Sequence, residues 1–182
     1  MISGYLITGG LHIDGLMDTF DGIFAGKRKM LKAMKDSQVG SFGVLSLVLT
    51  CLVQFASLSK LQNQIFFVLP ICLFWGRLST LVLIDKYKYI SKKKKSISHK
   101  KYWRGLKKES FLSVICLLIF FIYLLSSFST IKDLVLDLIL FMFGIFTCFK
   151  IPIILGNKID GFNGDLCGAS VVLVETIMIF IQ

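Results

Sequence analysis

Proline and acidic residues are scarce in this 182-residue sequence, which has 2 Pro and only 11 Asp and Glu together. Charged residues of both signs make up 18%, against about 25% in an ordinary soluble domain. The scarcity of proline excludes a collagen-like chain, and the 55% hydrophobic content excludes an intrinsically disordered one. The 5 cysteines include no CxxC pair and lie in or beside apolar stretches. Neither a disulfide framework nor a zinc site is therefore supported.

Five long apolar stretches make up most of the sequence. They cover residues 42–58, 65–84, 111–128, 134–155 and 166–181. A transmembrane helix needs about 20 apolar residues at about 1.5 Å rise each, and most of these stretches are near that length. We therefore predict an all-α, polytopic helical integral membrane protein with about five transmembrane helices. Within a single membrane domain of 1–182 we expect five parts, which are 1–41, a hairpin at 42–84, a basic loop at 85–109, a second hairpin at 110–155, and 156–182.

The net charge of +10 is carried mainly by three segments between these stretches. Lys and Arg number five in 22–39, eleven in 85–109 and one in 156–165. Because five spans alternate sides, these three segments share one side, with 17 basic residues against 2 on the other. The positive-inside rule makes that side the cytoplasm. We therefore expect a multi-pass protein of the cell membrane, and the charge does not indicate nucleic-acid binding.

An Asp-rich motif, GGLHIDGLMDTFDG, occupies residues 9–22. On a helix, Asp14, Asp18 and Asp21 would lie at about 0°, 40° and −20°, on one narrow face. Three carboxylates repel one another, and a hard cation such as Mg²⁺ would relieve that repulsion. The alternative is an acidic helix start that the helix dipole favours. His12 would point away from this face if the helix began before it, and a preceding loop would let it turn inward.

A basic segment at 27–35 follows the motif and carries three apolar residues on one edge. It predicts a short interfacial helix whose cationic side faces phosphates, lipid or substrate, although plain positive-inside charge explains the same residues. Asp36 comes next and is a further candidate metal ligand or general base. Gly40 and Gly43 would permit close helix packing or close approach of the backbone to a ligand.

Four charged residues lie inside the apolar stretches, where a charge costs about 2.5–3.5 kcal/mol on insertion scales. Arg77 is in the middle of its stretch and would reach a phosphate or pair with Glu175. Asp137 and Lys150 lie near the ends of theirs, where they would cap the helix or extend toward water.

Three segments carry a resemblance to a known family: GGLHIDGLMDTFDGIFAG, MKDSQVGSFGVLSLVL and DGFNGDLCGASVVLVE. They resemble the cobalamin synthase family, the membrane-bound adenosylcobinamide-GDP ribazoletransferases. Residues 160–165 read Asp-Gly-Phe-Asn-Gly-Asp where that family usually has Gly-Gly-x-Thr-Gly-Asp. Family members also carry an additional N-terminal portion with membrane-spanning sequence, which we expect this chain to lack.

The resemblance implies a reaction that transfers adenosylcobinamide phosphate from adenosylcobinamide-GDP to α-ribazole or α-ribazole phosphate, releases GMP and needs Mg²⁺. In the mechanism we expect, the Asp-rich motif holds the metal. Asp165 is then a further ligand from the last helix or that helix's N-cap. Asp36 or one of the metal-bound aspartates accepts the proton of the ribazole hydroxyl, with His12 as the alternative. The residues that we expect at the substrate are Arg77, Asn163 and Gly164.

Two other interpretations remain open for the sequence. One is a non-catalytic or truncated membrane partner of the cobalamin pathway, since family members have the additional N-terminal portion. The other is a small membrane transporter, since charges lie within the apolar stretches. The expected partners are the two substrates and the lipid bilayer, with a homo-oligomer or other membrane proteins of the pathway as further possibilities.

Overall fold

The structure is a computed structural model that describes residues 8–61, 65–90, 103–127 and 131–182. The described chain is helical, and its helices are α1 (Leu11–Phe24), α2 (Met30–Ala33), α3 (Ser41–Leu58), α4 (Ile65–Lys86), α5 (Leu106–Ser127), α6 (Ile131–Ile159) and α7 (Gly164–Phe180). Helices α3 to α7 coincide with the five apolar stretches. The prediction of an all-helical chain is thus confirmed for the described residues. The lysine-rich part of the basic loop, 91–102, and the side chain of Asp137 lie outside them.

The outer face of α3 is more apolar than its inner face. Its buried positions are small or polar, namely Gly43, Ser46, Thr50, Gln54 and Ser57. Its exposed positions include large apolar side chains, among them Val44, Leu45, Val48, Leu49, Leu52 and Phe55. Water would not favour this distribution, but lipid does, because lipid tails solvate large apolar side chains while small residues let helices approach closely.

Three helical segments in the described part of the chain are long and apolar enough to cross a membrane. They are Ser41–Leu58, Ile65–Lys86 and Leu138–Ile159. Together with the lipid-compatible surface of α3, they support a membrane protein. The count of five spans stays a prediction, since α5 and α7 are not among these three.

Helix α7 lies at the centre of the bundle and packs against α1, α3, α4 and α6. Two buried hydrogen bonds fix it to its neighbours. Gln54 Nε2 on α3 donates to Thr176 Oγ1 at 2.7 Å, and Ser170 Oγ donates to Ser79 Oγ on α4 at 2.8 Å. Such bonds satisfy polar groups that lipid cannot solvate, so they define how the helices pair.

Glycines allow α1 and α7 to cross at very short distance. A Cβ placed on Gly15 would lie 2.6 Å from the carbonyl oxygen of Asp165, and a Cβ on Gly168 would lie 3.0 Å from His12 Cα. Residue 12 therefore faces 168 while residue 15 faces 165, so the two helices run antiparallel. This crossing carries the Asp-rich motif onto the start of α7.

One end of the bundle gathers several chain segments, and we call it the polar end. There the first turn of α3 meets the last turn of α1, since Gly40 N donates to Asp21 Oδ2. The chain after α4 also meets the turn before α7, since Phe162 N donates to Lys88 O at 2.9 Å. The short helix α2 covers this end with Met30 and Met34, which are buried. The apolar edge predicted for the basic segment is thus confirmed.

Gly15→Ala is expected to lower the free energy of unfolding by about 1–3 kcal/mol, as overpacking does. The added methyl group would meet backbone, which cannot rotate away. Thermal unfolding in detergent measures the change. Gly164→Ala is the matched control, because a Cβ there has nothing within 4 Å. Equal melting temperatures for the two variants would contradict the close crossing.

Candidate active site

The three aspartates of the motif all lie on α1, beside its buried face. That face consists of Gly15, Leu16, Thr19 and Gly22. Asp14 is exposed, whereas Asp18 and Asp21 are half-buried at the edge of the packed surface. The carboxylates of Asp18 and Asp21 are therefore partly desolvated, unlike those of a helix that faces open water.

Asp18 is the centre of the acidic cluster. Burial raises the pKa of its carboxyl group from 3.8 to about 6, and the charges of Asp14, Asp165 and Asp21 act in the same direction. Four carboxylates from α1 and α7 therefore interact, although they are far apart in sequence. The Asp-rich motif and the start of α7 therefore lie close together.

Asp165 is held by its neighbours at the start of α7. Asn163 Nδ2 donates to Asp165 Oδ2 at 2.8 Å, and Asn163 Oδ1 accepts from Leu166 N at 2.9 Å. Asn163 is therefore the N-cap, and Asp165 is not. Burial and the charge of Asp14 raise the pKa of Asp165, while Lys35 opposes that rise. Gly164 is exposed beside them.

Asp21 binds the backbone of the next long helix with both carboxylate oxygens. Gly40 N and Gly43 N each donate to it at 2.7 Å. Both N–H groups belong to the start of α3, where they lack helical partners and the helix dipole favours a negative charge. A Cβ on either glycine would collide with the carboxylate. The close approach predicted for these glycines is made to Asp21.

Asp36 lies apart from the cluster, in a cleft of about 380 Å³ between α1, α2 and the start of α3. Asp21 lines the same cleft, which connects the two aspartates. One oxygen of Asp36 accepts from Gln38 N at 3.1 Å, and the side chain is exposed. The rings of Phe24 and Phe42 stack on the apolar wall of the cleft, with their centroids 4.1 Å apart.

His12 lies in the first turn of α1, on the half-buried side toward α7. Burial lowers its pKa, and the positive charge of Arg77 on α4 lowers it further. Arg77 Nη1 donates to Glu175 Oε1 on α7, which confirms the pairing alternative from the sequence. Both effects favour the neutral form of the His12 imidazole.

The carboxylate set suits a hard divalent cation chemically, because Mg²⁺ prefers oxygen ligands and repelling carboxylates gain from a shared cation. The rise in the pKa of Asp18 is in part a sign of that repulsion. In their present positions, however, no three His, Cys, Asp or Glu side chains of the described residues surround one point as a metal site would. The residues that would hold Mg²⁺ are Asp14, Asp18 and Asp165, with Asp21 already engaged by backbone N–H groups.

Lys35 is the residue that sequence reasoning missed. The sequence shows it only as part of a basic segment, yet its charge acts on Asp165, which lies 130 residues further along the chain. Its position directly before Asp36, in the segment that carries the resemblance, was the available signal.

The chain is similar to known proteins over its whole length. The family described as CobS, cobalamin-5-phosphate synthase, matches residues 1–182. The chain belongs to the cobalamin synthase family. A relative from the SARG strain of Prochlorococcus marinus is 44% identical over 98% of this chain and 69% of its own length. Relatives from Clostridioides difficile and Alkaliphilus oremlandii are each 33% identical, over 97% and 95% of this chain and 70% and 67% of their own lengths.

All three relatives are named adenosylcobinamide-GDP ribazoletransferase. The predicted membership of a family of transferases in cobalamin synthesis is thus confirmed. No solved structure matches the chain. The match to cobalamin synthase includes both segments that build the acidic cluster, α1 and the start of α7.

Asp18→Asn is expected to raise the melting temperature of the metal-free protein in detergent at about pH 7.5. The pKa of the Asp18 carboxyl group is 3.8 when unperturbed and is raised to about 6 in the folded protein. The folded state therefore binds the proton more tightly than the unfolded state. Its contribution to the free energy of unfolding is fully present below pH 3.8 and is lost as the pH rises through about 6. Asparagine stays neutral and avoids that loss, so the gain should shrink as the pH falls toward about 4.

The matched control is Asp160→Asn, which changes an exposed aspartate on the turn before α7. This position has φ 58, which asparagine also tolerates. A gain for Asp18→Asn that is the same at both pH values would contradict the electrostatic origin.

Proposed function

We propose that this chain transfers adenosylcobinamide phosphate from adenosylcobinamide-GDP to α-ribazole or α-ribazole phosphate and releases GMP. The observation that carries the proposal is the convergence of Asp14, Asp18 and Asp165 beside Lys35 in a member of this family. Phosphoryl transfer depends mainly on positioning and on neutralising charge, which are the tasks that carboxylates with a cation and basic side chains perform.

The bonds that change are both at one phosphorus. The hydroxyl oxygen of the ribazole attacks the phosphorus attached to the cobinamide, and the bond from that phosphorus to the oxygen of GMP breaks. GMP leaves with the bridging oxygen and the electron pair, while the hydroxyl proton goes to a base. When bound, Mg²⁺ supplies positive charge that stabilises the pyrophosphate oxygens and the leaving group.

Asp36 is the base that we assign. It lines a cleft of about 380 Å³ with Asp21, so an acceptor bound there would meet its carboxylate at the edge of the acidic cluster. His12 is the alternative, because its lowered pKa keeps a ring nitrogen free to accept a proton.

If the chain crosses the membrane five times, its polar end faces the cytoplasm. Described basic residues cluster there, on α2 and its flanks and at the end of α4, namely Lys27, Arg28, Lys29, Lys32, Lys35, Lys86 and Lys88. The positive-inside rule favours the cytoplasm for such an end. These basic residues would also attract a substrate that carries a pyrophosphate.

Asp18→Ala is expected to reduce GMP release by about a hundredfold or more, because the central carboxylate of the proposed cation site is lost. The assay uses purified protein in detergent with adenosylcobinamide-GDP, α-ribazole and Mg²⁺, and it follows GMP by chromatography. Asp160→Asn again serves as the control and should keep the wild-type rate. GMP release that is equal in Asp18→Ala and wild type would overturn the site. No release from the wild type would favour the non-catalytic partner.

Asp36→Asn is expected to lower kcat by about 10²- to 10⁴-fold, which is the usual contribution of a general base. The dependence of the residual rate on Mg²⁺ concentration should stay unchanged, because Asp36 lies outside the cluster. His12→Gln should have the smaller effect of the two. The reverse order of effects would move the base assignment to His12.

A further inference from the structure

The ion pair between Arg77 and Glu175 joins α4 to α7 within apolar stretches, where single charges are costly. Its two partners have different surroundings. The side chain of Glu175 is 14% exposed, whereas that of Arg77 is 48% exposed. About half of the Arg77 side chain is therefore not covered by the protein.

Glu175 is confined by the backbone of the facing helix. A Cβ on Gly76 would lie 2.7 Å from Glu175 Cγ and 2.8 Å from Oε1. The absence of a side chain at residue 76 therefore lets the glutamate lie flat against α4, directly beside Arg77. The hydrogen bond between Ser79 and Ser170 fixes the same two helices nearby. The carboxylate is thus the rigid member of the pair.

Arg77 lies on α4 at a level below the crossing of α1 and α7. Gly76 faces Glu175 on α7, and Ser79, three residues further along α4, bonds to Ser170, which is two residues from Gly168. The backbone of His12 contacts Gly168 at the crossing of α1 and α7, half a turn before Asp14. Only Nη1 of the guanidinium is engaged by Glu175 in the described structure. Arginine has five N–H groups in a planar fork, so donors remain for a second anion.

We propose that Glu175 is a positioning residue, which holds Arg77 so that its remaining N–H groups meet a phosphate of the nucleotide substrate at the crossing of α1 and α7. This inference rests on the proposed function, since it requires a substrate with a pyrophosphate. A guanidinium held by a confined carboxylate loses little conformational freedom on binding, which strengthens each hydrogen bond that it then makes.

The test compares steady-state kinetics of wild type, Glu175→Gln, Glu175→Asp and Arg77→Gln with both substrates. Glu175→Gln should raise the KM for adenosylcobinamide-GDP by about tenfold to a hundredfold, the worth of a charge-assisted hydrogen bond, and leave the KM for α-ribazole unchanged. Glu175→Asp keeps the carboxylate one methylene shorter and should recover part of that loss. Equal changes in both KM values, or none, would overturn the proposal.

A double variant separates positioning from stability. Changing both Arg77 and Glu175 to Gln leaves no unpaired charge at this pair, so the melting temperature should return toward that of wild type. If Glu175 acts through Arg77, the double variant keeps the high KM of Arg77→Gln. Recovery of the wild-type KM would instead show a purely structural pair.

Thr176→Val is the matched control on the neighbouring position of α7. It removes the buried hydrogen bond with Gln54, so it should lower the melting temperature without changing the KM for adenosylcobinamide-GDP. An increase in that KM similar to the increase in Glu175→Gln would overturn the proposal, because general loosening of α7 would then explain both.

A binding measurement distinguishes failure of this inference from failure of the proposed function. Equilibrium dialysis of adenosylcobinamide-GDP, followed by corrin absorbance, needs no turnover. An absence of GMP release from the wild type would refute the proposed function alone. A dissociation constant that rises about tenfold in Glu175→Gln would still support the inference, whereas equal constants would refute it.

Discussion

The close crossing of α1 over α7 is the constraint on which the rest of the site depends. Gly15 meets the carbonyl oxygen of Asp165, and Gly168 meets the backbone of His12, so neither contact has room for a side chain. Because the helices run antiparallel there, carboxylates from two distant parts of the sequence share one small volume. Dispersion contacts between the close backbones and the buried Leu16 and Leu166 stabilise the crossing.

The crossing brings like charges together, and the surrounding residues offset that cost unequally. Asp21 accepts hydrogen bonds from two backbone N–H groups at the start of α3, so its charge is compensated and it helps to hold α1 against α3. Asp165 receives an amide hydrogen bond from Asn163 and the charge of Lys35. Asp18 has no comparable compensation among the described residues, and its pKa rises to about 6. The uncompensated carboxylate is therefore the one with most to gain from a cation, which is why it is central to the proposed site.

The long helices and the family could be predicted from the sequence alone, because a run of apolar residues and a dense motif are local signals. The parity of the spans also predicted that the segments 22–39 and 156–165 share one side of the membrane. The sequence could not assign Asp21 to the N-terminus of α3 or Asn163 to the cap of α7, since those choices depend on φ, ψ and tertiary distance. The action of Lys35 on Asp165 was equally inaccessible, because charge within a basic segment carries no information about its partner.

A single helix, α7, relates the acidic cluster to the arginine. Asp165 and Glu175 are ten residues apart on it, which is about 15 Å along the axis at 1.5 Å per residue. Gly168, which lies beside the backbone of His12, is between these two levels, and the charge of Arg77 acts on His12 there. In the proposed reaction the phosphates would then lie between the carboxylates above and the guanidinium below. A substrate held from both levels must insert its pyrophosphate beneath the polar end, where low dielectric strengthens each of these contacts.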